Sequence, residues 1–152
     1  MHLEREVRAY SDLLPDVIVD GIERGMCPKC GVTFTAFSRW DGLGQLVAGA
    51  LTAKPTRLTP GEVRFLRTCI GLKGQDLAAV MGVAAVQVSR WENGAQPIST
   101  LADRLLRLVV VMREGLAGPD LRAIDAKRSE PLSLRIELGR KGWRVADLQA
   151  AR

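Results

Sequence analysis

The chain has 152 residues, 47% of them apolar, so it is long enough for one domain or two small ones and needs no disulfide staples. Its formal net charge is +5 and its pI is near 9.6, a balance that favours polyanionic partners. The single histidine, His2, excludes most histidine-based catalysis, and the chain shows no phosphate-cradling glycine loop, nucleophile elbow or paired catalytic carboxylates, so no enzyme is expected.

Residues 1–54 read as a small N-terminal α+β unit suited to interaction, with net charge −1. The opening Met-His-Leu-Glu-Arg-Glu lacks a signal-peptide core, and residues 3–12 are polar and mixed in charge. Val17-Ile18-Val19 lies between Pro15 and Gly21 and predicts a short strand; Ile22 to Met26 predicts its return. Cys27-Pro-Lys-Cys30-Gly31 is a tight knuckle, followed by another strand over Val32 to Thr35. Leu43, Leu46, Val47 and Ala50 stand at helical spacing and predict a helix from Trp40 to Leu51, against the weakening effect of Gly42 and Gly44. Thr52 to Leu58, with Pro55, reads as a linker.

Residues 55–116 predict a helical domain, and residues 55–115 carry net charge +3. Thr59-Pro60-Gly61-Glu62 is a helix start: Thr59 caps, Pro60 takes the first helical position and Glu62 completes a capping box. Val63, Leu66 and Ile70 give that helix a buried face, and Gly71 ends it. Leu77, Ala78 and Met81 make the apolar face of the next, which Gly82 closes by taking the left-handed conformation. A further helix runs from Ala84 to Glu92, with Ala84, Val88 and Trp91 as its inner stripe. A last helix begins near Ser99-Thr100, where Thr100 and Asp103 have capping-box spacing. It is apolar on two sides, through Leu101, Leu105, Leu108 and Met112 and through Leu106, Val109 and Val110; one side packs on the domain, leaving the other for a partner subunit. Arg107 interrupts the run from Leu105 to Met112, which is far short of the ~20 residues of a membrane span. No membrane partner and a cytoplasmic location, nucleoid-associated when DNA-bound, are therefore expected.

Two short helices about a tight turn, the second with a packed back and an outward polar face, suit the major groove of double-stranded DNA. The outward residues of the second helix are Ala85, Val86, Ser89, Arg90 and Asn93, with Gln87 at the edge. Arg90 can fork onto guanine O6 and N7, and Val86 can press on a thymine methyl. Gln87 reaches adenine or a phosphate, while Ser89 and Asn93 hold the backbone. Gln75, at the start of the preceding helix, and Lys73 before it are candidate phosphate contacts.

Leu77-Ala78, Gly82-Val83, Val88-Ser89-Arg90-Trp91-Glu92-Asn93-Gly94 and Pro97 resemble the Xre/Cro-type helix-turn-helix of phage repressors, over about residues 57–115. The resemblance implies a mainly α fold built on a lambda-repressor-like domain that binds a palindromic operator as a dimer. Ala84 departs from it where a Ser or Thr cap is common, as do Ala85 and Val86 where polar base-readers are common. A narrower resemblance covers about residues 10–112. The Cys-Pro-x-Cys-Gly knuckle, a helix, Leu58 to Arg67 and the Ser-Arg-Trp-Glu-Asn-Gly helix are similar to MqsA-type antitoxins and the wider YgiT-type zinc-finger regulators. This implies an N-terminal domain that meets a toxin protein and a helix-turn-helix that represses the shared operon, with Arg90 as a base-reading arginine. Three functions therefore stand as expectations: a DNA-binding repressor, an antitoxin that neutralises a toxin through residues 1–54, and an interaction adaptor whose helix-turn-helix no longer binds DNA.

The metal candidates are Cys27 and Cys30. A structural zinc takes four ligands, commonly two Cys-x-x-Cys pairs, and the first pair is missing here. Cys69 reads as a packed helical residue and His2 stands alone, so no cofactor is expected; zinc is conceivable as a site shared by two chains. Residues 117–152 form a C-terminal extension. Leu132, Leu134, Ile136 and Leu138 alternate with Ser133, Arg135 and Glu137, then Gly139-Arg-Lys-Gly142 makes a basic turn before Trp143 and Val145, which predicts a β-hairpin. Ala146 to Ala151 predicts a short terminal helix.

Overall fold

A computed structural model of the chain describes residues 3–36 and 42–149. Over these residues the protein has five α-helices and a five-stranded mixed sheet. This is an α/β fold and corrects the mainly α expectation. The chain divides into two compact units, Met1–Leu46 with Ser133–Arg152, and Val47–Leu132.

The first unit is built on the sheet. β1 (Leu3–Ser11) and β2 (Leu14–Met26) form an antiparallel hairpin. β3 (Thr33–Ala36) folds back on the end of β2, with Gly25 opposite Phe34. β4 (Ser133–Gly139) lies parallel to the middle of β2, Val17 opposite Leu134 and Asp20 opposite Glu137. β5 (Gly142–Gln149) completes a second hairpin with β4. A parallel pair needs a long crossover, and here the whole second unit intervenes between β2 and β4.

β2 is one strand where the sequence reads as two. Val17 and Val19 are buried, then the inward phase jumps to Ile22. The jump falls at Gly21, where the pairing shifts so that Glu6 faces Ile22 but Val7 faces Asp20. Gly21 is thus the extra residue of a bulge. Its φ of +111° and the 3.1 Å that would separate an added Cβ from Leu138 Cβ both demand glycine. β1 escapes the sequence reading altogether, because its charged residues hide the alternation that marks a strand. Residues 146–149 are strand rather than the expected helix. The remainder of that helix, Trp40 at the start of the Trp40–Leu51 helix, and His2 lie outside the described residues.

The second unit is helical. α1 (Leu43–Thr52) leads into it, followed by α2 (Pro60–Cys69), α3 (Gly74–Met81), α4 (Ala85–Glu92) and α5 (Thr100–Glu114). Leu51, Leu66, Leu77, Val88, Leu106 and Val110 are withdrawn from solvent. The capping box of α2 forms as read: Glu62 N donates to Thr59 Oγ1 at 3.4 Å and Thr59 N to Glu62 Oε1 at 3.0 Å. At α5 the cap is Ser99, whose Oγ accepts from Ala102 N at 3.2 Å. Asp103 is therefore released from capping and turns inward.

Residues 52–58, read as a linker, are locked into this unit. Arg107 is wholly buried; its Nε donates to Asp103 Oδ1 at 2.7 Å and its Nη atoms to the carbonyls of Thr52, Lys54 and Thr56. Asp103 Oδ2 accepts from Leu58 N at 2.7 Å. Lys54 pairs with Glu62 and donates to the carbonyls of Arg57 and Glu130. Burial pushes the Lys54 ammonium below its ordinary pKa, and the Glu62 carboxylate opposes that shift. The segment after α5 joins the same region: Asp125 N donates to Pro55 O and Arg57 N to Arg128 O, both at 2.8 Å, and Leu132 N to Glu62 Oε2 at 3.1 Å. Part of the C-terminal extension is therefore a strap on the helical unit, and part is sheet.

Candidate nucleic-acid interface

α3 and α4 form a helical pair about Gly82, which takes φ +70° and ends α3 with its N–H turned back to Ala78 and Ala79. Leu77, Ala78 and Met81 of α3 and Val88 and Trp91 of α4 are buried. Trp91 is 3% exposed, and its Nε1 has no hydrogen-bond partner. The indole is an apolar anchor behind α4. Ala84, expected in the inner stripe, is exposed, because it is the cap residue and lies outside the helical turn. It offers no side-chain cap, and neither does Lys73 at the start of α3.

A second device fixes the angle of α4. Arg67, in the last turn of α2, forks onto Glu92: Nη2 donates to Oε2 at 3.2 Å and Nε pairs with Oε1, while Nη1 donates to Leu72 O at 3.0 Å. This clamp ties α4 to α2 and to the loop before α3. It also neutralises the one acid on α4. The sequence held a signal for it, since Arg67 follows Leu66 on the rim of a core face and Glu92 follows Trp91 in the same way.

The outer side of α4 carries Ala85, Val86, Ser89, Arg90 and Asn93, all exposed. Asn93 Nδ2 donates to Ser89 Oγ at 3.2 Å, and Gln87 Nε2 to Gln96 Oε1 at 3.0 Å. The three polar candidates around Arg90 on α4, Gln87, Ser89 and Asn93, are thus engaged with the chain itself. The Arg90 carbonyl accepts from Gln96 N at 3.2 Å, but its guanidinium has no hydrogen bond or ion pair among the described residues. Lys73 and Gln75 are exposed at the first turn of α3, and Asp76 beside them brings one acid to that end. The set that the helical pair brings to its surface is therefore one free guanidinium, an exposed valine, and polar groups held in place.

Beside this pair, Met81, Val83, Gln87, Trp91, Leu101 and Leu105 line a groove of about 270 Å³. Leu101 and Met112 are 78% and 83% exposed on α5, and Leu108 lies between them on the same stripe. Leu106 and Val110 form the inward side of that helix, and Val109 is half-buried.

In the sheet unit the knuckle forms a tight turn: Gly31 N donates to Cys27 O and Cys27 N to Val32 O, each at 2.9 Å. Cys27 and Cys30 are free thiols and supply half of a four-ligand zinc set. Among the described residues no three His, Cys, Asp or Glu side chains gather to complete one. Cys69 lies half-buried on α2 in the other unit.

No protein-family model matches this chain, and no curated protein or solved structure does either. Among the described residues no helix is long and apolar enough to cross a membrane.

Proposed function

We propose that this protein is a sequence-specific DNA-binding transcriptional regulator, a repressor that reads a palindromic operator as a dimer. The observation that carries this reading is the outer face of α4, where Arg90 stands unpaired between self-bonded neighbours while Trp91 and the Arg67–Glu92 clamp hold the helix from behind. A planar fork presented from a rigid helix matches O6 and N7 of guanine in the major groove. Lys73 and Gln75 at the first turn of α3 take phosphate oxygens and set the register. Two copies place their α4 helices in half-sites about one helical turn, ~34 Å, apart. The exposed Leu101, Leu108 and Met112 stripe of α5 is the surface on which the second copy seats. A gel shift on a duplex spanning the gene's own promoter tests the reading. Retardation that weakens steeply from about 50 to 200 mM salt supports it; no retardation at low salt contradicts it.

An antitoxin role adds a toxin partner to the same DNA contacts. It is favoured by the sheet unit, which is compact by itself and shows exposed Met26, Val32 and Phe34 around the two thiols, within the segment 1–54 assigned to that partner. Co-purification with the product of the adjacent open reading frame tests it.

A further inference from the structure

We propose that Val86 makes this protein a reader of a pyrimidine C5-methyl group lying within two base pairs of the guanine that Arg90 contacts. The inference rests on the DNA-binding reading and names the base feature that reading leaves open.

Val86 is 55% exposed in the first turn of α4. Burial in the core does not account for a valine there. It is β-branched, so it is a poorer helix former than alanine, and it is not buried. Its neighbours toward the helix start, Ala84 and Ala85, are also exposed and apolar. In the leading turn of α4 the only side chain able to hydrogen-bond a base edge is Gln87, whose Nε2 is engaged by Gln96 Oε1. What such a surface can recognise in a major groove is the methyl group at C5 of a pyrimidine. Thymine carries that group, and so does 5-methylcytosine.

Val86 and Arg90 are four residues apart on α4, so they stand on one face about 6 Å apart along the axis. Base pairs step about 3.4 Å along the duplex. The methyl contact and the guanine contact therefore fall within about two base-pair steps of each other. The other polar side chains nearby are already engaged in part, Gln87 Nε2 with Gln96 and Ser89 Oγ with Asn93. Specificity at this end of α4 rests on shape and on exclusion of water from one methyl group, and at the other end on the guanidinium fork.

The test uses the full-length protein and duplexes that it selects from a randomised pool. Each thymine of the selected duplex is replaced in turn by uracil, which removes the methyl group and leaves every hydrogen-bonding atom. The expected result is one position per half-site, within two base pairs of a guanine, where uracil weakens binding about fourfold, the worth of burying one methyl-sized group. Val86→Ser removes that preference, so that the thymine and uracil duplexes bind alike. Cytosine and 5-methylcytosine at the same position separate the two sources: recovery on methylation shows that methylated cytosine is read as well, and no recovery assigns the site to thymine. A selected duplex in which no uracil substitution weakens wild-type binding beyond ~1.5-fold overturns the proposal, as does a Val86→Ser protein that keeps the full preference; both leave the DNA-binding reading standing. Failure to select any duplex overturns that reading and this one with it.

Discussion

Arg107 and Asp103 lie one turn apart on α5, 0% and 1% exposed, with Nε and Oδ1 2.7 Å apart. Their pairing is the centre of a buried polar network. It satisfies the carbonyls of Thr52, Lys54 and Thr56, and the N–H of Leu58, which no strand or helix pairs. Backbone groups buried without partners are costly, so this one arginine allows an irregular segment to run through the interior.

Arg107→Leu leaves the Asp103 carboxylate buried without its cation and three carbonyls without donors. A loss of about 3–5 kcal/mol is expected, seen as a lower denaturant midpoint in equilibrium unfolding. A loss below about 1 kcal/mol would show that residues 52–58 are not held by this network.

Trp91 is the apolar support of α4. Trp91→Ala should destabilise the helical unit by about 3–5 kcal/mol through loss of a buried aromatic. An unchanged melting temperature would remove the indole from the core.

α4 begins without a side-chain cap, because Ala84 occupies the position where a hydroxyl would accept from the first turn. Ala84→Ser should stabilise the protein by about 1 kcal/mol. Thermal melting of the two proteins side by side checks this, and a lower melting temperature for the serine variant would contradict the cap assignment.

The cysteines differ in reactivity. Backbone hydrogen bonds at Lys29 and Cys30, then the Cys30 side chain, hold the Cys27 thiol below its ordinary pKa. Burial, reinforced by Glu114, pushes the Cys69 thiol up. The thiolate is the nucleophile, so Cys27 should be alkylated by iodoacetamide faster than Cys69 at about pH 7.5, and the gap should narrow as pH rises through the Cys69 value. Peptide mass spectrometry over a pH series reads the order; faster labelling of Cys69 would reverse the assignment.

The helical unit was legible where local chemistry is self-contained. Thr59-Pro60-Glu62 specifies a capping box by itself, and Gly82 between two apolar stripes specifies the turn between α3 and α4. The sheet was legible only in part. β4 shows its alternation, but nothing along the chain says that it runs parallel to β2, because that pairing joins residues separated by the whole helical unit. β2 appears broken because the Gly21 bulge shifts its phase, and β1 is masked by its charges. Residues 52–58 look like a linker because they are held largely through their own backbone carbonyls and N–H groups, which no side-chain pattern reveals, and because Arg107 looks like an interruption of an apolar run rather than its polar centre. On α4 the outer residues were identifiable from spacing. That Gln87, Ser89 and Asn93 are bonded to the chain, leaving Arg90 free, was not.

The most direct measurement is the affinity of Arg90→Ala for a duplex selected by the parent protein, taken together with its melting temperature. Arg90 is exposed and its guanidinium has no partner among the described residues, so the fold should be unchanged. Loss of the guanidinium fork should weaken specific binding by roughly 1–3 kcal/mol for each guanine read, while weak salt-dependent binding to unrelated DNA remains. Full affinity for the selected duplex in a protein lacking this side chain would contradict the role given to α4.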